Sequence, residues 1–167
     1  MYRFVFFRVI GALFCSSLYG MTYYVTTNSP SSSMSGSLPN LMLSAASGDT
    51  IDCYQIAGQM ISLTQPLPAI TKNLTITVST GSPVTIYGGN SYQAFSCASG
   101  GIVLSNFTVT NCVSAGGVGG GFGGGGGAGG GGAVYVHNGV SLTATTLMLT
   151  SNQAVGGMVA QGQQLRG

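Results

Sequence analysis

The sequence predicts an all-β protein built as a solenoid, and three observations carry that expectation. Short runs of β-branched and aromatic residues recur about ten residues apart from Thr50 onward, most of them alternating apolar residues with Ser or Thr as half-buried strands do. Two stretches, "GGIVLSNFTVTNCVSAGG" (100–117) and "NGVSLTATTLMLTSNQAVGG" (138–157), share one order of glycine, strand, polar step, strand, Asn and small-residue tail, offset by about forty residues. Charged side chains make up only 4% of the chain. Stacked coils favour that composition, because ladders of Ser, Thr and Asn bond along a stack whereas ladders of charge repel. A two-sheet sandwich is the alternative architecture for the same strands.

Taken in order, residues 1–20 read as an export signal. Arg3 and Arg8 precede the apolar stretch Val9 to Cys15, and the residues up to Gly20 place cleavage after Ser17 or after Gly20. Arg8 keeps the apolar run shorter than the ~20 residues of a membrane-spanning helix. Residues 21–35 are a lead-in, and 36–167 form a partial solenoid domain with a glycine-rich insert at 116–132. One short helix is expected, Leu38 to Ala46, with Pro39 in the first turn, where its missing N–H has no intrahelical partner to lose. Strands are expected at Thr50–Cys53, Met60–Thr64, Asn73–Val78, Val84–Tyr87, Ala94–Cys97, Ile102–Leu104 and Phe107–Val109. Ala133–Val136, Val140–Leu142 and Thr146–Leu149 continue the series. Fourteen of the seventeen residues from Gly116 to Gly132 are glycine. They are expected to form a loop extruded between adjacent coils that contributes little to the fold, because a long flexible loop closes a gap of about 5 Å at small entropic cost. Phe122, the large side chain inside the run, is assigned a loose contact with the solenoid wall.

The charged residues are Arg3, Arg8, Asp49, Asp52, Lys72 and Arg166, so a chain without its signal has no net charge. No Lys/Arg cluster is present to displace counterions, which argues against nucleic acid or an anionic lipid surface as partner. A hydrophobic content of 44% argues against disorder. Cys53, Cys97 and Cys112 remain after the signal, with no CxxC spacing and only the distant His137 as a further soft ligand, so no zinc site is expected. The three cysteines read as small buried hydrophobes, with one disulfide allowed in an oxidising compartment.

No motif for a cofactor or for catalysis survives inspection. The glycine run contains GxGxxG, but a strand follows it where a dinucleotide site needs a helix. No Gly-Lys-Ser or Gly-Lys-Thr occurs, which excludes a P-loop. Glycoside hydrolysis generally uses two carboxylates, and the chain owns only Asp49 and Asp52; Asp49, in "SGDT", reads as a turn residue opening a strand. No serine has an evident His and acid partner, and His137 in "VYVHNG" reads as the end of a strand before an Asn-Gly turn.

Three stretches resemble the passenger regions of bacterial autotransporters and polymorphic outer-membrane proteins, within the pectin-lyase-like superfamily. "GSLPNLMLSAASGDTI" (36–51) is similar to the family's opening segment, in which a short helix caps the solenoid before the first coil. "LPAITKNLTITVSTGSPVTIYGGNSYQAFSCASGGIVLSNFTVTN" (67–111) is similar to its early coils. Gly131, Gly132, Ala133 and Val134 resemble the GGA[ILV] motif, and Leu149 to Asn152 the FxxN motif with Leu in place of Phe. The resemblance implies a right-handed parallel β-helix with an N-terminal capping helix. It also implies display outside the cell or on an outer membrane, and adhesin-like binding of host or cell-surface protein or glycan, without a shared catalytic residue. Membrane attachment would come only through a C-terminal barrel, which residues 1–167 do not include. The expected function is therefore non-enzymatic, with a carbohydrate-active β-helix using Asp49 or Asp52 as the alternative.

Overall fold

The computed structural model describes residues 20–117 and 127–158; the expected signal segment 1–19, Phe122 and the middle of the glycine run lie outside the described residues. In chain order the elements are β1 (Thr22–Tyr24), helix α1 (Leu38–Ser44), β2 (Asp49–Asp52), a 3-10 turn (Tyr54–Ile56), β3 (Met60–Ser62), β4 (Leu74–Thr77) and β5 (Val84–Tyr87). They continue as β6 (Phe95–Cys97), β7 (Gly101–Thr110), β8 (Val113–Ala115), β9 (Val134–Val136), β10 (Ser141–Thr150) and β11 (Gln153–Val155). The protein is all-β with one short helix, and its strand pairings among the described residues are parallel. One sheet runs β1-β2-β4-β7-β5-β3 with β10 added on β7; β8 pairs with β11 and β6 with β9.

Parallel neighbours need long connections, and the registers measure them. Asp49 pairs with Leu74, Leu74 with Ile102, and Val84 with Phe107, steps of 25, 28 and 23 residues. Gly101 pairs with Ser141 and Phe95 with Val134, steps of 40 and 39. The longer step is the one that contains the glycine run. It is also the forty-residue offset of the sequence repeat, which the structure turns into side-by-side pairing from Ser141 to Thr150.

β7 organises the core. Its first half, Ile102–Ser105, pairs with β4 and its second half, Phe107–Thr110, with β5. Between them Asn106 takes a positive φ of 64°, a conformation that Asn tolerates better than most residues. The Asn106 side-chain amide donates to the carbonyls of Val78 (3.2 Å) and Gly81 (3.3 Å), fastening the bend to the turn between β4 and β5. The bend shifts the inward alternation by one, so that Ile102 and Leu104 before it and Phe107 and Val109 after it are all buried. Thr146 repeats the bend in β10 at φ 50°. The paired runs read as separate strands, 102–104 with 107–109 and 140–142 with 146–149, are therefore single bent strands. Phe95 and Phe107, the largest fully buried side chains, meet edge-on with ring centroids 5.9 Å apart.

At the N-terminal end, α1 carries Leu38 and Met42 into the core beside Val25 and Ile51. Ser37 caps the helix by accepting the Asn40 N–H at 3.2 Å, and Pro39 stands in its first turn. Lys72 donates to the Leu43 carbonyl at 3.1 Å and to the Ala45 carbonyl, placing a cation at the negative end of the helix dipole. The helix stops at Ser44, two residues before the expected Ala46. Within residues 21–35, β1 pairs with β2, and Thr27 bridges Ser37.

One further reading needs correction. The glycine run is not simply extruded at its described ends. Gly116 N–H donates to the Val155 carbonyl at 2.8 Å, Gly127 N–H to Gly117 at 2.7 Å and Gly157 N–H to Gly127 at 2.7 Å. A Cβ on Gly132 would strike the Gln153 carbonyl oxygen and lie 2.6 Å from that of Cys112, and one on Gly129 would strike the Val155 carbonyl. These glycines let three backbone segments approach more closely than any side chain permits. Cys53, Cys97 and Cys112 are free and buried, as small hydrophobes are.

Candidate functional site

Pairing of β6 with β9 sets Ser96 beside Tyr135 on the outward side, above buried Phe95 and Cys97. Two residues on, His137 follows β9 in the same outward column, since side chains alternate along a strand, and its N–H continues the ladder to the Cys97 carbonyl at 3.0 Å. The His137 ring meets the Tyr135 ring edge-on at 4.7 Å, and its Nε2 lies 3.4 Å from Ser96 Oγ. Asn138 and Gly139 then turn the chain, with Gly139 at φ 79°, as the Asn-Gly pair predicted.

The opposite wall is the described end of the glycine run. Gln93 Nε2 donates to the Gly131 carbonyl at 2.6 Å and anchors that segment. A Cβ on Gly130 would come within 3.0 Å of the Tyr135 ring, so glycine there makes room for the aromatic face. Gln93, Ser96, Ser114, Tyr135 and His137, with Gly129 and Gly130, enclose an open cleft of about 580 Å³. Its lining has hydroxyl, amide, imidazole and aromatic groups and no carboxylate or ammonium. Such a lining hydrogen-bonds and stacks with a neutral polar partner; it lacks the acid that would orient His137 as a base for Ser96.

The two carboxylates lie elsewhere and are engaged by backbone. Asp49 accepts from Met21 N–H at 2.8 Å and Ala46 N–H at 2.6 Å; Asp52 accepts from Tyr54 N–H at 3.0 Å and Ser79 N–H at 3.1 Å. Both are buried. Burial pushes the Cys97 and Cys112 thiols up to about 11, and burial together with the Asp52 charge pushes Cys53 further up, so none supplies a thiolate near neutral pH. Among the described residues no three His, Cys, Asp or Glu side chains gather into a metal-binding group, and no helix is long and apolar enough to cross a membrane.

The motif residues do not converge on the cleft as a set. Gly131 follows the lining residue Gly130 and is held by Gln93, Gly132 packs against the backbone of Cys112 and Gln153, and Ala133 and Val134 lead into β9, where the Ala133 carbonyl accepts from Phe95 N–H at 2.9 Å. Leu149 is half exposed on β10, in register with Val109. Asn152, between β10 and β11, fastens that corner to the end of β7, accepting from Cys112 N–H at 2.9 Å and donating to the Val109 carbonyl at 2.8 Å. The cleft itself escaped sequence reasoning. Its legible signal was the i, i+2 spacing of Tyr135 and His137; Gln93 and Ser96, about forty residues earlier, had none. No protein-family model, curated protein or solved structure matches the chain, so the resemblance to autotransporter passengers rests on the motif residues themselves.

Proposed function

We propose that the chain is a right-handed parallel β-helix, exported and displayed outside the cell, that acts as a non-catalytic, adhesin-like binding scaffold. The in-register parallel strands, with the Asn106 and Thr146 bends stacked forty residues apart, support the coil architecture. Parallel crossovers in one sheet are right-handed in about 98% of cases, which supports the hand. The observation that carries the function is the cleft around Tyr135 and His137: aromatic and hydrogen-bonding, uncharged, and lined by neither carboxylate. It suits contact with a neutral polar surface of a protein or glycan.

The test is a binding screen of the chain against arrayed extracellular-matrix proteins and neutral glycans, read by surface plasmon resonance. At least one partner is expected, and Tyr135→Ala is expected to weaken it about tenfold or more, since exposed aromatics anchor such contacts. No binding anywhere, or binding indifferent to Tyr135→Ala and His137→Ala, would overturn the assignment of the cleft. Glycan turnover abolished by Asp49→Asn would favour the carbohydrate-active alternative instead.

A further inference from the structure

Asp49 is a buried carboxylate, 4% exposed, engaged by N–H groups rather than by a cation. Lys72, the one lysine or arginine among the described residues, directs its ammonium to the Leu43 and Ala45 carbonyls. Buried charges are ordinarily paired as well as hydrogen-bonded. One of the two N–H donors to Asp49 comes from Met21, 28 residues away in sequence, at 2.8 Å. Met21 is fixed on its other side too, because its carbonyl accepts from Thr50 N–H at 2.8 Å. Just upstream, Gly20 presses on Gly48 so closely that a Cβ there would strike the Gly48 carbonyl oxygen.

We propose that Asp49 is the receptor for a new amino terminus: the exported chain is cut between Gly20 and Met21, and the α-ammonium of Met21 forms a salt bridge with Asp49. The inference rests on the export reading above. Hydrolysis of the Gly20–Met21 bond by an export-associated peptidase consumes one water, leaves a carboxylate on Gly20 of the departing segment and an ammonium on Met21. The nitrogen that donates to Asp49 is the same atom before and after, but it now carries a positive charge beside a buried carboxylate. A charge-assisted hydrogen bond is roughly twice as strong as a neutral one. Because the other Asp49 oxygen holds Ala46 at the exit of α1, one carboxylate then joins the new terminus, the capping helix and β2. Cleavage after Ser17, the other site the sequence offers, leaves Leu18, Tyr19 and Gly20 ahead of Met21 and gives Asp49 only a neutral N–H.

Intact-mass measurement of the exported chain is expected to find Met21 at the terminus. In a second arm, recombinant chains beginning at Met21 and at Leu18 are compared by thermal unfolding, the Met21 chain with and without Nα-acetylation. The Met21 chain is expected to melt about 2–4 °C above the Leu18 chain, and acetylation is expected to erase the gain. Acetylation is the decisive control because Asp49→Asn would also weaken the Ala46 contact. An exported terminus at Leu18 overturns the inference and leaves the export reading standing; retention of Met1 overturns both. Equal melting of acetylated and free Met21 chains overturns the salt bridge whatever the terminus.

Discussion

The two ends of the strand stack are built by different means. At the N-terminal end, Leu38, Met42 and Val25 close the core, Ser37 and Lys72 hold the two ends of α1, and all three charged residues of the described chain sit within or beside that cap. At the C-terminal end, β10 has only β7 as a neighbour among the described residues, its Met148 and Leu149 are 60% and 51% exposed, and no charged residue occurs from Asn73 to Leu165. The first end is held by specific side chain to backbone bonds around a buried plug. The second is held by register, with Asn152 as the principal polar fastener. The same apolar residue type therefore has a different energetic weight at each end.

Leu38→Ala and Leu149→Ala put that difference to its largest test. Leu38 is fully buried, so its truncation is expected to cost about 2–5 kcal/mol, whereas Leu149→Ala is expected to cost under about 1 kcal/mol, both read from urea unfolding. Equal costs would mean that the C-terminal face is covered in solution. Asn152→Ala comes next. It strands the Cys112 N–H and the Val109 carbonyl, and a loss of about 2 kcal/mol is expected, with hydrogen exchange accelerating in β10 and β11 but not in β1 or β2.

The cysteines sharpen the contrast further. Raised folded-state thiols contribute stability that is intact below the unfolded thiol range near 8.5–9 and is lost as pH climbs through about 11. The urea midpoint is therefore expected to fall across that window, and Cys97→Ala with Cys112→Ala to flatten the fall. In thiol labelling of the folded protein, Cys112, beside the Asn152 contact at the C-terminal end, is expected to react before Cys53. The smallest effect is at Thr146, a β-branched residue at φ 50°, where Thr146→Asn is expected to add about 0.5–1 kcal/mol. A loss there would show that the Thr146 side chain makes a compensating contact.

Where the sequence was legible, one residue type decided a local outcome. Val84–Tyr87 was read with its observed bounds because Pro83 and Gly88 delimit it, and Pro39 marked the start of α1. The repeat around Asn106, offset by about forty residues, corresponds to the 40-residue register between β7 and β10, although the pairing itself was not read from it. β1, β8 and β11 were missed, being three-residue segments that become strands only through a partner 28 or 40 positions away. The bent strands were read as pairs because the inward alternation breaks at Asn106 and Thr146 while the backbone pairing runs on either side. Gly129 and Gly132 were read as slack because the atoms that forbid a side chain there belong to Val155, Gln153 and Cys112. The cleft needed the same kind of knowledge, since Ser96 meets His137 only through the 39-residue step from β6 to β9.

The parallel registers carry a kinetic consequence. Closing each new pairing spans 23 to 40 residues however many strands have already formed, so the entropic cost of the next step depends on the local loop and not on total chain length. In the proposed coil architecture, assembly that begins where α1 seals the first strands advances toward β10 at nearly constant increments. Lengthening such a chain by further layers would leave the barrier for any single step almost unchanged.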